Sequence, residues 1–145
     1  METQINSSNQ TKIKLNFKDS KYATGRRKKS IARVWLKKGS GIIHVNNISA
    51  KDYFKKANLQ ISAIRPLSLT KREAEYDVRC TVNGGGHTGQ AGAISLGIAR
   101  ALINFEPELK QTLKKEKLTT RDSRAVERKK PGRRKARRSF QFSKR

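Results

Sequence analysis

The sequence predicts an α+β fold followed by a long, extended, basic tail. Three observations lead there. Residues 75–83 alternate apolar and polar side chains with the period of a half-buried strand, and residues 89–105 place apolar side chains at helical spacing. After Leu118 the apolar signal stops, and Val126 is the only aliphatic residue larger than Ala from Thr119 onward.

Residues 1–20 are polar, rich in Asn, Ser, Gln and Lys, and read as a mobile N-terminal extension. Within them the alternation Ile13-Lys14-Leu15-Asn16-Phe17 suits a strand that forms once it has a partner. Residues 21–38 carry Lys21, Arg26, Arg27, Lys28, Lys29, Arg33, Lys37 and Lys38 and no acid. Here Ala32, Val34 and Leu36 point one way in a strand, and Arg33, Trp35 and Lys37 the other, so one face packs on a core while the other shows cations and an aromatic ring. Gly39-Ser40-Gly41 is a turn, and Ile42 to Asn46 a second strand with Ile43 and Val45 on one face. The pair is expected to form a hairpin. Ser49 is placed as a helix N-cap with Asp52 at capping-box distance, and Pro66 is expected to interrupt the segment that runs from Asn58 to Arg65.

Glu75 to Asn83 is a strand with Tyr76, Val78, Cys80 and Val82 facing in and Asp77, Arg79, Thr81 and Asn83 facing out. Gly84-Gly85-Gly86 ends it. From Gly89 to Phe105 the residues Ile94, Ile98, Ala101, Leu102 and Phe105 follow helical spacing. Gly92 and Gly97 each weaken an isolated helix by about 1 kcal/mol relative to Ala, but inside a structure they permit close approach to a strand or to a bound partner. Pro107 opens a second helix with Leu109 and Leu113 on one side. The chain thus divides into an extension (1–20), a globular core (21–113) and a basic extended tail (114–145).

Charge says most about function. The 145 residues hold 35 Lys and Arg against 11 Asp and Glu, for a net charge of +24 and a pI near 11.0. A compact domain so charged repels itself, and a polyanionic partner that neutralises it is the economical explanation. Hydrophobic residues make up 34 %, so a core is possible only if they are concentrated in part of the chain. From Lys114 to Arg145 there are 15 basic and three acidic residues. Such a tail cannot bury enough surface to offset its ordering entropy, and orders only against another molecule. Arg133, Arg134, Arg137 and Arg138 offer flat guanidinium forks for phosphates and base stacking, and Phe140 and Phe142 offer rings with no core to join. Composition alone does not choose RNA over DNA.

Other chemistries find little footing. Gly84-Gly85-Gly86-His87-Thr88-Gly89-Gln90 has the strand–glycine–helix order of an anion-binding loop, yet lacks the Gly-Lys-Ser/Thr of a nucleotide-binding loop. Contact with an RNA phosphate fits it, as does a plain structural turn. His44 and His87 with Cys80 make no recognisable metal set. Cys80 falls on an apolar strand face as a small buried hydrophobe. With one cysteine no internal disulfide forms, in keeping with a reducing compartment. There is no paired-acid site and no nucleophile elbow. No enzyme activity, cofactor, metal or small-molecule substrate is expected. No apolar run approaches a bilayer span, and residues 1–19 lack the apolar core of a secretory leader and the Arg of a transit peptide. The expectation is no membrane association and work in the compartment of synthesis.

Gly84-Gly85-Gly86, then Gly89-Gln90, Ala93, Gly97, Ala99-Arg100 and Ala101-Leu102, resembles the signature of small-subunit ribosomal protein nine. Ala23-Thr24-Gly25-Arg26-Arg27-Lys28 is similar to that family too. So is the run from Leu118-Thr119-Thr120-Arg121-Asp122 through Glu127-Arg128-Lys129-Lys130-Pro131-Gly132 to Gln141-Phe142-Ser143-Lys144-Arg145, which looks like the bacterial type. The matches fall in the expected order over about Tyr22 to Arg145.

This resemblance implies a small mixed sheet with helices packed on one face and a long extended tail. It implies a seat in the head of the small subunit, on the 3′ major domain of its ribosomal RNA, beside neighbouring head proteins, in a bacterial cytoplasm or an organelle. The tail would thread between RNA segments and reach the P-site transfer RNA, with Ser143, Lys144 and Arg145 as its contacts. Residues expected on ribosomal RNA are Arg26, Arg27, Lys28, Lys29 and Arg33; Gly84, Gly85, Gly86 and His87; and in the tail Arg121, Arg124, Arg128, Lys129, Lys130, Arg133, Arg134, Lys135, Arg137 and Arg138. The competing reading is a general nucleic-acid-packaging protein, which shares the charge and the tail but not the ordered matches.

Overall fold

The computed structural model describes residues 19–143. Strands β1 (Lys21–Arg27), β2 (Ser30–Lys38), β3 (Ile43–Val45) and β4 (Ile48–Ser49) precede helices α1 (Ala50–Tyr53) and α2 (Ala57–Thr70). Then come β5 (Tyr76–Asn83), α3 (His87–Phe105) and α4 (Leu109–Lys115). The strands form one sheet in the order β1-β2-β5-β3-β4. Only the β3–β5 pair is parallel, so the sheet is mixed. Helices cover one face: α3 lies directly on β1 and β2, with α2 and α4 packed behind it. The expected α+β architecture is what the chain adopts.

The alternating strands bury the predicted sides. Ala32, Val34 and Leu36 of β2 and Tyr76, Val78, Cys80 and Val82 of β5 meet Ile94, Ile98, Ala101 and Leu102 of α3 in one core. Helix α3 approaches β1 very closely. A Cβ on Gly25 would lie 1.8 Å from the Ala93 carbonyl oxygen, and one on Gly97 would lie 2.5 Å from Val34 Cγ2. Because α3 sits so near, its side chains also serve the exposed edge of β1. Arg100 donates to the Thr24 carbonyl at 3.0 Å and Asn104 to the Tyr22 carbonyl at 3.4 Å. Backbone groups that would otherwise invite another strand are thereby occupied.

Three local expectations are corrected. First, β2 and β3 do not form a hairpin. The loop between them crosses the start of β5, where Asp77 Oδ1 accepts the N–H of Ser40 at 2.8 Å and of Ile42 at 2.9 Å. It therefore delivers β3 to the far side of β5, where Ile43 to Val45 pair in parallel with Val78 to Cys80. The strand's true hairpin partner is β4, through Asn46 and Asn47, both at positive φ (50° and 67°) as a tight two-residue turn requires. Second, Ser49 stands just before α1 but makes no side-chain cap bond, so the capping box with Asp52 is not formed. Ser49 is held in β4 opposite His44 instead. Third, α2 runs through Pro66 to Thr70. The ring is buried in the core side of the helix, and that burial offsets the missing backbone donor.

Two further differences concern reach. Residues 21–27, which show only as a basic stretch in the sequence, form a full edge strand, and α3 begins at His87, two residues before the predicted start. Residues 1–18, including the Ile13–Phe17 alternation, and Lys144 and Arg145 lie outside the described residues.

Candidate nucleic-acid interface

The β1–β2 turn is where the predicted contacts begin to gather. Arg27 pairs with Ser30, which leaves Lys28 and Lys29 alone at the tip, Lys28 in the left-handed region at φ 51°. Arg26, Lys28 and Lys29 are exposed. Because Ile31 pairs with Asn83, the glycine loop that ends β5 falls beside this tip. Ser30 Oγ donates to the Gly84 carbonyl at 3.0 Å, and Gln90 Nε2 donates to the same oxygen at 3.2 Å. Gly84 and Gly85 adopt φ of 75° and 61°, and a Cβ on Gly84 would meet the Lys29 carbonyl at 2.6 Å. Glycine is required there on both counts. Gly86 is the N-cap of α3 and makes no side-chain cap bond. His87 is exposed, its ring edge-on to Tyr53 and Phe54 at 5.8 and 6.4 Å.

The root of the tail comes to the same region. Leu118 packs against the core, and the chain then passes Arg27. Asp122 accepts from Arg27 Nη2 at 3.2 Å and from Arg124 Nη2 at 2.9 Å, while its other oxygen takes Arg124 Nε and backbone N–H. The Arg124 side chain and N–H, with Arg27 behind them, hold the Asp122 carboxyl well below the usual carboxylate range. Between this root, β1, α2 and α3 lies an open cleft of about 610 Å³. Arg26, Arg27, Arg65, Lys117, Arg121 and Arg124 line it, against two acids, Glu116 and Asp122. Arg27 Nε is buried there with no partner among the described residues. A surplus of cations and an unanswered donor give this cleft the chemistry that suits an anion.

The remaining tail cations stand apart from the core. From Thr119 to Ser143 the chain has no helix or strand. It turns locally at Gly132, φ 70°, and Arg137 forks onto Glu127 at 2.7 and 3.0 Å. Arg133 donates to the Arg137 carbonyl, and Arg134 lies 5.4 Å from the Phe140 ring centre. Arg128, Lys129, Lys130, Arg133, Arg134, Lys135 and Arg138 are exposed, as are Phe140 and Phe142. Arg33, by contrast, sits mid-strand on the helix-free face of the sheet, away from the tip.

The structure thus brings together Arg26 to Lys29, Gly84 to His87, Arg121 and Arg124, and leaves Arg33 and the distal tail separate. Sequence reasoning does not find Arg65, Lys117 or Asp122 as part of this site. Asp122 has a visible signal, an acid inside a basic run, whereas Arg65 becomes a site residue only because α2 packs on α3. Among the described residues no three His, Cys, Asp or Glu cluster to hold a metal ion, and no helix is long and apolar enough to cross a membrane.

A basic α+β domain with a cation-lined cleft at the root of an extended cationic chain has the build of a nucleic-acid-binding protein. The model of the family described as ribosomal protein S9/S16 matches residues 25–145, far more than half of the chain. The protein belongs to the ribosomal protein S9/S16 family. It is accordingly a structural protein of the small ribosomal subunit, with ribosomal RNA and other ribosomal components as its partners.

Proposed function

We propose that the protein seats itself in the head of the small subunit, on the 3′ major domain of the ribosomal RNA and against neighbouring head proteins, and that its tail runs on to the P-site transfer RNA. Residues 21–113 act as the RNA-binding core and 114–145 as the tail. The observation that carries this reading is the convergence of the end of β1, α2, α3 and the tail root around one cationic cleft, with Asp122 of the root bonded to Arg27. The core docks on phosphates and in doing so sets where the tail starts. The cleft takes a backbone phosphate on Arg26, Arg27 and Arg121, and the glycine loop and α3 N-terminus present backbone N–H groups beside it. Specificity comes from the shape of a folded RNA, which offers a unique array of phosphates.

Along the tail, cations replace counterions of the RNA, a contribution that weakens steeply with salt. Arg128 to Arg138 follow phosphates, and Phe140 and Phe142 wedge against bases or a neighbour. Ser143, Lys144 and Arg145 form the transfer-RNA contact. Lys144 and Arg145 bring two cations to meet the phosphates. The ordered bacterial-type residues of the tail support a bacterial or organellar ribosome.

Two measurements test the proposal. The tagged protein should stay with the small subunit in a sucrose gradient through a salt wash that removes loosely held basic proteins. Release under a mild wash, or migration with DNA, would return the chain to a packaging role. Subunits whose copy lacks Ser143 to Arg145 should assemble normally but bind P-site transfer RNA more weakly. Unaltered P-site affinity and initiation fidelity would rule out the tip as the contact.

A further inference from the structure

The face of the sheet opposite α3 is organised independently of the cleft. Strand register aligns Tyr22, Trp35, Arg79 and His44 in one row across β1, β2, β5 and β3. The Tyr22 and Trp35 ring centres are 5.4 Å apart, and the Arg33 guanidinium lies 5.5 Å from the Trp35 ring centre. Tyr22 is 46 % exposed and Ile31 47 %, Arg33 is exposed, and Trp35 and Arg79 are half-buried. Among the described residues no helix packs over them. Asp77 is the one acid within the described strands, and its Oδ1 is already taken by the N–H groups of Ser40 and Ile42.

A solvated strand face normally carries mixed charges and small polar groups. This one instead places two flat rings and a flat guanidinium side by side in a field of one sign. Flat π surfaces bordered by arginine match unpaired nucleobases with their phosphates, because stacking needs an exposed base face and the charge needs an anion. A double helix keeps its base faces hidden. An apolar protein surface would leave Arg33 and Arg79 uncompensated.

We propose that this open face is a stacking platform for an unpaired stretch of RNA, with bases on Tyr22, Trp35 and the Arg33 plane and phosphates toward Arg79. The proposal rests on the RNA-binding reading above and adds to it a second surface, on the opposite side of the sheet from the tail root, with a different mode of recognition.

Trp35 is the only tryptophan in the chain, so its emission reports on this face alone. The full-length protein is titrated with a short, unstructured, end-labelled RNA and with a duplex of equal phosphate count. RNA anisotropy records binding by any part of the protein, and Trp35 emission records the platform. Single-stranded RNA should quench Trp35, whereas the duplex should bind without quenching. A Tyr22→Leu variant, checked for an unchanged circular dichroism spectrum, should lose roughly tenfold in single-strand affinity, the worth of one stacked base. Binding of the single strand by anisotropy, with Trp35 unquenched, would overturn the platform and leave RNA binding by cleft and tail intact. Absence of binding to either RNA would overturn both readings. A Trp35 response only to other small-subunit proteins would overturn the platform and assign the face to a protein neighbour.

Discussion

At Asp77, burial pushes the carboxyl pKa up, but the backbone N–H groups of Ile42, Ser40 and Gly41 outweigh it and hold the group below its ordinary value. The folded protein then binds fewer protons than the unfolded chain near that pH. The stabilisation is fully present above the unfolded carboxylate pKa of about 3.9 and is lost as pH falls through the lower folded value. Asp77→Asn should therefore flatten the stability profile in that acid window and lower stability at neutral pH, as urea unfolding at a series of pH values would show. An unchanged acid profile would mean the loop is held by something else. Cys80 illustrates a residue whose fate is legible in advance. Alternation puts it on the apolar face, and burial, which leaves it 1 % exposed, pushes its thiol up to about 12. Asp77 reads from the sequence only as an outward-facing strand residue, because nothing in the sequence pairs position 77 with positions 40–42.

At the level of elements, the contact between α3 and β1 decides the shape of the sheet's edge. Gly25 stands where any Cβ would overlap the Ala93 carbonyl, so Gly25→Ala must push α3 away from β1 or break that end of the strand. Overpacking of this kind typically costs about 1–3 kcal/mol, occasionally more. Chemical denaturation should show a destabilisation in that range, with the Arg100 and Asn104 bonds to the β1 edge weakened as well. The same closeness explains why β1 is not visible in the sequence. Lys21, Ala23, Gly25 and Arg27 face the helix and only Ala23 and Gly25 are buried, so the strand shows no large apolar side chain at alternate positions. Strands β2 and β5, which pack under larger residues, are legible from their alternation. The misassigned hairpin has a comparable origin: Gly39-Ser40-Gly41 has turn chemistry, but turn chemistry does not say which neighbour a strand will join.

For the whole molecule, the two parts should separate cleanly in their energetics. Leu118 is the last apolar side chain packed on the core among the described residues, and beyond it only the partly exposed Arg27–Asp122 pair ties the tail to the sheet, so a chain ending there should melt close to the full-length protein. The same truncation removes twelve cations and two acids. The slope of log affinity for RNA against log salt should become shallower by about 0.7 for each single-strand phosphate that the tail neutralises. Parallel calorimetry and RNA titrations at several salt concentrations would check both halves. A truncated core that fails to fold would show that the tail is structural, and an unchanged slope would show that the tail does not meet phosphates.

Sequence by itself determined the periodic and compositional features of this protein. The inward faces of β2 and β5, the amphipathic run of α3, the lack of core-forming residues after Leu118 and the partner's negative charge all follow from side-chain spacing and counts along the chain. Tertiary structure decided which strand lies beside which, and therefore which cations meet. Strand order depends on contacts between distant residues such as Asp77 with Ser40, and the cleft depends on Arg27, Arg65 and Asp122 arriving from β1, α2 and the tail root. Neither local propensity nor period carries that information, because a side chain's spacing fixes its face but not the element that will come to cover it.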